Sequence, residues 1–160
     1  MGQMRIVVGS DHAAVGLKQA VVEHLTGHGY EVRDLGANDS EVSVDYPDYG
    51  AAVGRAVATG SADFGIALCG SGIGISIAAN KIAGVRAALV SDVTTAHLAR
   101  EHNHANVLCL GARVTGEATA LEAVDAFLSA TPQEGRHLNR LAKLAALDDA
   151  ASLPPEIKES

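Results

Sequence analysis

The chain has 160 residues, enough for one domain with a sizeable core and too few for two. Apolar residues make up 48% against 19% charged, which excludes a disordered chain, and a net charge of −7 argues against a nucleic-acid surface. There is no signal-peptide core and no run long enough to span a bilayer, so a soluble, cytoplasmic protein with no nucleic-acid or membrane partner is expected.

"RIVVGS" from Arg5 is the first of four near-continuous apolar runs; "DFGIAL" from Asp63, "RAALV" from Arg86 and "NVLCL" from Asn106 follow. Runs without alternation predict strands buried on both faces of a parallel sheet. "YEVRDLG" from Tyr30 alternates more and predicts an edge strand. Between them, residues 13–28 place Leu17, Val21 and Leu25 at helical spacing, and 47–59 begin with Pro47, favoured at a first helical position. Residues 92–102 follow Ser91, a plausible N-cap, and 117–128 set Leu121, Val124 and Leu128 on one face. A last helix over about 134–147 puts Arg136, Arg140 and Lys143 in one stripe opposite Leu138, Leu141 and Ala145, so it should pack by the leucine side. The alternation of strands and helices predicts an α/β fold, a Rossmann-like three-layer α/β/α sandwich with a five-stranded parallel sheet. One domain over 1–148 is expected, followed by a flexible polar tail, 149–160, with Pro154 and Pro155.

Ligands of open α/β sheets bind at the carboxyl ends of the strands. Three polar clusters fall there: Ser10-Asp11-His12, Cys69-Gly70-Ser71-Gly72-Ile73-Gly74, and Gly111-Ala112-Arg113. The glycine loop lacks the G-x-x-x-x-G-K-[ST] spacing of a nucleotide phosphate loop. It also lacks a dinucleotide fingerprint and the arginine of a cysteine phosphatase, because Ile75 occupies the position that each requires. What is left is a set of backbone N–H groups at a helix N-terminus, suited to a phosphate or to an oxyanion formed in reaction. A cysteine is most often a small buried hydrophobe, and Cys109 inside "NVLCL" reads that way; Cys69, at a glycine-rich turn, sits where a thiolate is favoured. His102 and His104 form an H-x-H pair, but with no accompanying cysteine pair or H-E-x-x-H pattern no metal is expected. His102-Asn103 falls at the end of the fourth helix, away from these clusters, and would join them across a subunit boundary.

"GSDHA" (9–13), "DYPDY" (45–49), "CGSGIGISIAANK" (69–81), "GVRAAL" (84–89), "EHNHANVLCLGAR" (101–113) and "GRHLNRL" (135–141), in this order, resemble type B ribose-5-phosphate isomerase. That family also holds galactose-6-phosphate isomerase subunits, and the resemblance runs from about residue 4 to 145. It implies an aldose–ketose isomerase of sugar phosphates, acting without metal or organic cofactor as a dimer or tetramer with sites at the interface. Carried onto this sequence, it implies that Cys69 is the base between C1 and C2, His102 the acid that opens the sugar ring, and Ser71 the hydroxyl beside the reacting oxygens. It makes Asp11, His12, Gly70, Gly72, Ile73, Gly74 and Asn103 sugar-contacting positions, and Arg113, Arg136 and Arg140 a phosphate clamp. Some relatives use a glutamate later in the loop as base; here that position is Ile75, which leaves Cys69 for the role.

The expected reaction interconverts ribose 5-phosphate and ribulose 5-phosphate through an enediolate. Alternatives are a hexose 6-phosphate or tetrose 4-phosphate substrate, a non-catalytic sugar-phosphate sensor, and, more distantly, a cysteine-dependent hydrolase. The intact set of Cys69, Ser71 and His102 favours a self-sufficient homo-oligomeric enzyme.

Overall fold

A computed structural model describes residues 2–149; the expected tail, from residue 150 onward, lies outside them. The strands are β1 (Arg5–Ser10), β2 (Glu31–Asp34), β3 (Phe64–Cys69), β4 (Ala87–Leu89) and β5 (Val107–Gly111). The helices are α1 (Val15–Gly27), preceded by a 3₁₀ turn at His12–Ala14, then α2 (Tyr46–Ala58), α3 (Ile73–Asn80), α4 (Val93–Asn103), α5 (Glu117–Ser129) and α6 (Arg136–Ala146). All five strands pair in parallel, in the order β2-β1-β3-β5-β4, as the expected three-layer α/β sandwich requires.

The alternation of side chains along buried strands divides the core in two. Ile6, Val8, Leu68, Leu108 and Leu110 face α1, α4 and α5, where Val21, Leu25, Ala96, Val124 and Phe127 complete the layer. Val7, Ala67, Val107 and Cys109 face α2 and α3, meeting Val53, Ala56, Ile75 and Ala79. With so few aromatics, this second layer is closed by small residues: a Cβ on Gly50 would lie 2.8 Å from the Ile75 carbonyl oxygen, so α2 and α3 touch backbone to backbone there.

Three details depart from the sequence reading. β4 has three residues at the sheet edge and is only half-buried, with Leu89 43% exposed, because no further strand covers it. The α4 N-cap is Asp92, not Ser91; its carboxylate accepts the Thr95 N–H at 2.8 Å. α6 packs by His137, its one buried residue, with Leu141 one turn on half-buried, while Leu138 is 47% exposed, so only part of the leucine side is covered.

Candidate active site

The chain leaves β1 for β2 on one side and later inserts β3 on the other, which makes the carboxyl ends of β1 and β3 the topological switch point. Ser10 pairs with Leu68, and Cys69 with Gly111, so the three polar clusters emerge side by side. Ala112 N–H donates to the Cys69 carbonyl and Arg113 N–H to the Gly70 carbonyl, both at 2.9 Å, fastening the two loops together.

Cys69 is 4% exposed, with its Sγ accepting the Gly72 N–H at 3.1 Å. The Gly72 backbone turns into α3 at φ +78°, in the left-handed region, and a Cβ there would lie 2.5 Å from Leu89 Cδ1; only glycine fits. Ser71 is exposed, and its Oγ accepts the Ile73 N–H at 3.2 Å. Gly72 and Ile73 thus turn two of the loop's N–H groups onto the thiol and the hydroxyl, while Gly74 gives room for the Tyr46 ring, 2.6 Å from where its Cβ would stand. Tyr46 is 42% exposed beside this loop, a neighbour that "DYPDY" did not single out. The Arg113 guanidinium lies over Gly70, whose Cβ would be 3.0 Å from Nη1. Ser71, Ile73, Leu89, Gly111 and Val114 line a cavity of about 320 Å³.

Asp11 is buried and caps the 3₁₀ turn, accepting the Ala13 N–H at 3.0 Å. The His12 Nδ1 lies between the Val44 N–H at 3.1 Å and the Val44 carbonyl at 3.2 Å. Either tautomer is held by one of them, which leaves Nε2 for a ligand. Ile75 is fully buried in the α2–α3 layer. Cys109 is fully buried too, and burial pushes its thiol well up, as suits a core residue.

The remaining candidates lie elsewhere. α4 starts beyond the carboxyl end of β4 and ends before the amino end of β5, so His102 and Asn103 stand at the opposite sheet edge from Cys69. There the His102 imidazole stacks on His137, centroids 4.6 Å apart and planes 8° off parallel, with Glu101 Oε2 3.5 Å from its Nε2. Burial, followed by the positive neighbours His102, Arg136 and Arg140, holds His137 below the usual imidazole value, against the pull of Glu101. Arg136 and Arg140 are exposed on α6. His137 was not picked out from "GRHLNRL", although its place between the two arginines was the available signal. His104 turns away to the Gln133 carbonyl at 2.9 Å, so the H-x-H pair does not converge. Among the described residues no group of three or more His, Cys, Asp or Glu could hold a metal ion.

One chain therefore carries two separate clusters: thiol, hydroxyl, His12 and Arg113 at one end of the sheet, and an imidazole pair with two arginines at the other. The ribose/galactose isomerase family model matches residues 6–144. Ribose-5-phosphate isomerase B of Escherichia coli K12 is 46% identical over 144 residues, covering 90% of this chain and 96% of that one. Among solved structures, ribose-5-phosphate isomerase B of Clostridium thermocellum has a TM-score of 0.89 at 48% identity, over 91% of this chain and 97% of the other. The Mycoplasma genitalium enzyme, solved with bound ribulose 5-phosphate, has a TM-score of 0.88 at 41% identity, over 92% and 98%. With a family match over most of its length and this fold, the chain belongs to the ribose/galactose isomerase family, with the type B ribose-5-phosphate isomerases, and is a sugar-phosphate isomerase.

Proposed function

We propose that the protein interconverts ribose 5-phosphate and ribulose 5-phosphate through an enediolate, with Cys69 as the base, and that it does so as a cytoplasmic homo-oligomer. The observation that carries the reading is the Gly72 N–H aimed at Cys69 Sγ at 3.1 Å at the switch point of the sheet. A donor at a helix N-terminus stabilises negative charge on the sulfur, as proton abstraction from carbon demands.

His102 protonates the ring oxygen as the anomeric hydroxyl gives up its proton, opening the sugar. The Cys69 thiolate then takes the proton from C2 and the electrons pass into an enediolate charged at O1; the O2 hydroxyl proton passes to O1, and the proton held on the thiol returns at C1 as the C2 carbonyl forms, giving the ketose. Ser71 Oγ–H and the loop N–H groups not turned onto the thiol and the hydroxyl meet the oxygen that gains charge, a contribution of about 3 kcal/mol per donor. Asp11, His12 and Asn103 hold sugar hydroxyls, with the backbone of Gly70, Gly72, Ile73 and Gly74 against the reacting end. Arg113, Arg136 and Arg140 clamp the phosphate in charge-assisted, forked bonds.

Since His102 stands at the far edge from Cys69 of its own chain, a second copy supplies His102, Asn103, Arg136 and Arg140. Ile73, Leu89 and Val114, each 43–64% exposed around the Ser71 cavity, and Ile77, one turn further along α3 and 56% exposed, give that copy an apolar seat. A hexose 6-phosphate keeps the same chemistry with a longer reach to the phosphate, and the family's galactose branch makes it the second reading.

The test is ketose formation from ribose 5-, allose 6-, galactose 6- and erythrose 4-phosphate in EDTA, with wild type and Cys69→Ala. Fast turnover of ribose 5-phosphate that the variant loses is expected. Preference for another sugar would keep the mechanism and change the substrate; an undiminished Cys69→Ala would overturn the base.

A further inference from the structure

Lys18 heads the largest fully buried side chains, with 2% of its surface exposed. Lysine is almost never buried so completely unless paired, and a methionine would fill the same core position without the desolvation cost of an ammonium. What Lys18 holds lies outside the core. Its Nζ donates to Asp34 Oδ2, at the end of β2, and to Asn38 Oδ1 at 3.0 Å, at the start of an exposed segment that leads to α2. The other Asp34 oxygen accepts the Gly36 N–H at 2.8 Å. Gly36 and Ala37 in turn clasp Ser10: Ser10 N–H to the Gly36 carbonyl and Ala37 N–H to the Ser10 carbonyl, both at 2.7 Å. Ser10 leads directly into Asp11 and His12, and the far end of the same segment returns to His12 through the Val44 backbone. The ammonium thus sits at the root of a strap whose two ends both reach the His12 turn.

We propose that Lys18 is a positioning residue for His12: through Asp34 and Asn38 it fixes the 34–44 segment, which sets the β1 turn and the orientation of the His12 imidazole. The inference rests on the reading of His12 as a sugar-contacting side chain. It goes beyond that reading by explaining what holds the ring in place.

The experiment is a double-mutant cycle in KM and kcat for ribose 5-phosphate, using Lys18→Met, His12→Ala and the pair. It is joined by the ring-proton NMR resonance of His12, assigned by its loss in His12→Ala. Lys18→Met is expected to raise KM on the order of tenfold in the wild-type background and by less than about twofold in the His12→Ala background, and to shift the His12 resonance. Asn38→Ala, an exposed change that cuts only the tie to the segment, should move both readouts the same way by less; it carries the test if Lys18→Met does not fold. An equal KM effect in both backgrounds, or an unmoved His12 resonance in both Lys18→Met and Asn38→Ala, overturns the proposal. If the resonance moves while His12→Ala leaves turnover and KM at wild-type values, the positioning stands and the sugar-contact reading of His12 fails instead.

Discussion

Gly111→Ala is the smallest change that should disable the glycine loop without touching a reacting group. A Cβ at position 111 would lie 2.4 Å from the Ser71 carbonyl carbon, 2.5 Å from its oxygen and 2.9 Å from its Cα, against 3.4 Å for an ordinary contact. All three are backbone atoms, so no rotamer change relieves the clash. Parting β3 from β5 is the alternative, but Ala112 N–H to Cys69 O and Arg113 N–H to Gly70 O hold the strand ends together next to the clash. Ser71 must therefore retreat by about 1 Å, at an overpacking cost of about 1–3 kcal/mol. For a domain of this size that is a fall in Tm of roughly 5 °C. Misplacing a reacting group by about 1 Å costs on the order of 10²-fold in rate. Steady-state kcat and KM with ribose 5-phosphate and a thermal melt on the same preparation decide the matter. A lower Tm with kcat unchanged would show that the place of Ser71 does not matter to the chemistry, and an unchanged Tm would refute the packing argument itself.

Arg140→Ala should raise KM by about 10- to 100-fold, the worth of a charge-assisted hydrogen bond, with little change in kcat, whereas Ser71→Ala should chiefly lower kcat; the reverse pattern in steady-state kinetics would exchange the two ends of the substrate. Because burial holds His137 below its ordinary value in the folded chain, the unfolded chain binds the extra proton first, and stability is lost as pH falls through about 6.5. His137→Phe, which keeps a ring on His102, should flatten that loss between pH 7.5 and 5.5 in urea midpoints; an identical slope would count against the assignment. Leu25→Ala, at a fully buried position under α1, should cost about 2–5 kcal/mol in chemical denaturation with kcat preserved among the molecules still folded.

Much of the fold was legible because β1, β3 and β5 are central strands, where burial on both faces writes an unbroken apolar run. β4 has a similar run in "RAALV" but lies at the edge, and hydrophobicity alone does not say which neighbour a strand will have. Position distinguishes the two cysteines by place alone: Cys109 lies inside its strand and Cys69 at a strand end before a glycine turn, yet both are buried in the same layer. α6 shows where periodicity fails. Its charged and leucine stripes are both clear in sequence, yet the buried position is His137, stacked on His102 of α4, with only Leu141 of the leucine stripe half-buried beside it. Lys18 was missed for a related reason: a lysine on a surface helix reads as solvated, and its acceptors Asp34 and Asn38 come from a different strand and loop.

The topology also sets the acid and base candidates at opposite ends of the sheet within one chain. α4 covers 11 residues, about 16 Å of helix, and carries His102 from the carboxyl edge of the sheet to the amino edge. If acid and base meet only across two copies, each copy gives its thiol to one site and its imidazole to another, and inactive variants can complement each other. Cys69→Ala and His102→Ala chains, each nearly inactive alone, should recover activity when unfolded together at equal concentration and refolded. Random pairing in a two-fold dimer gives mixed dimers in about half the population, each with one site built wholly from unmutated halves, so about a quarter of all sites should regain wild-type turnover. Rates measured against the two variants refolded separately isolate the gain. Recovery near that level would fix His102 as acting in trans. No recovery, with mixed dimers present by mass spectrometry, would mean that one chain houses the whole site, and the reading of the two sheet edges as halves of a shared centre would have to be given up.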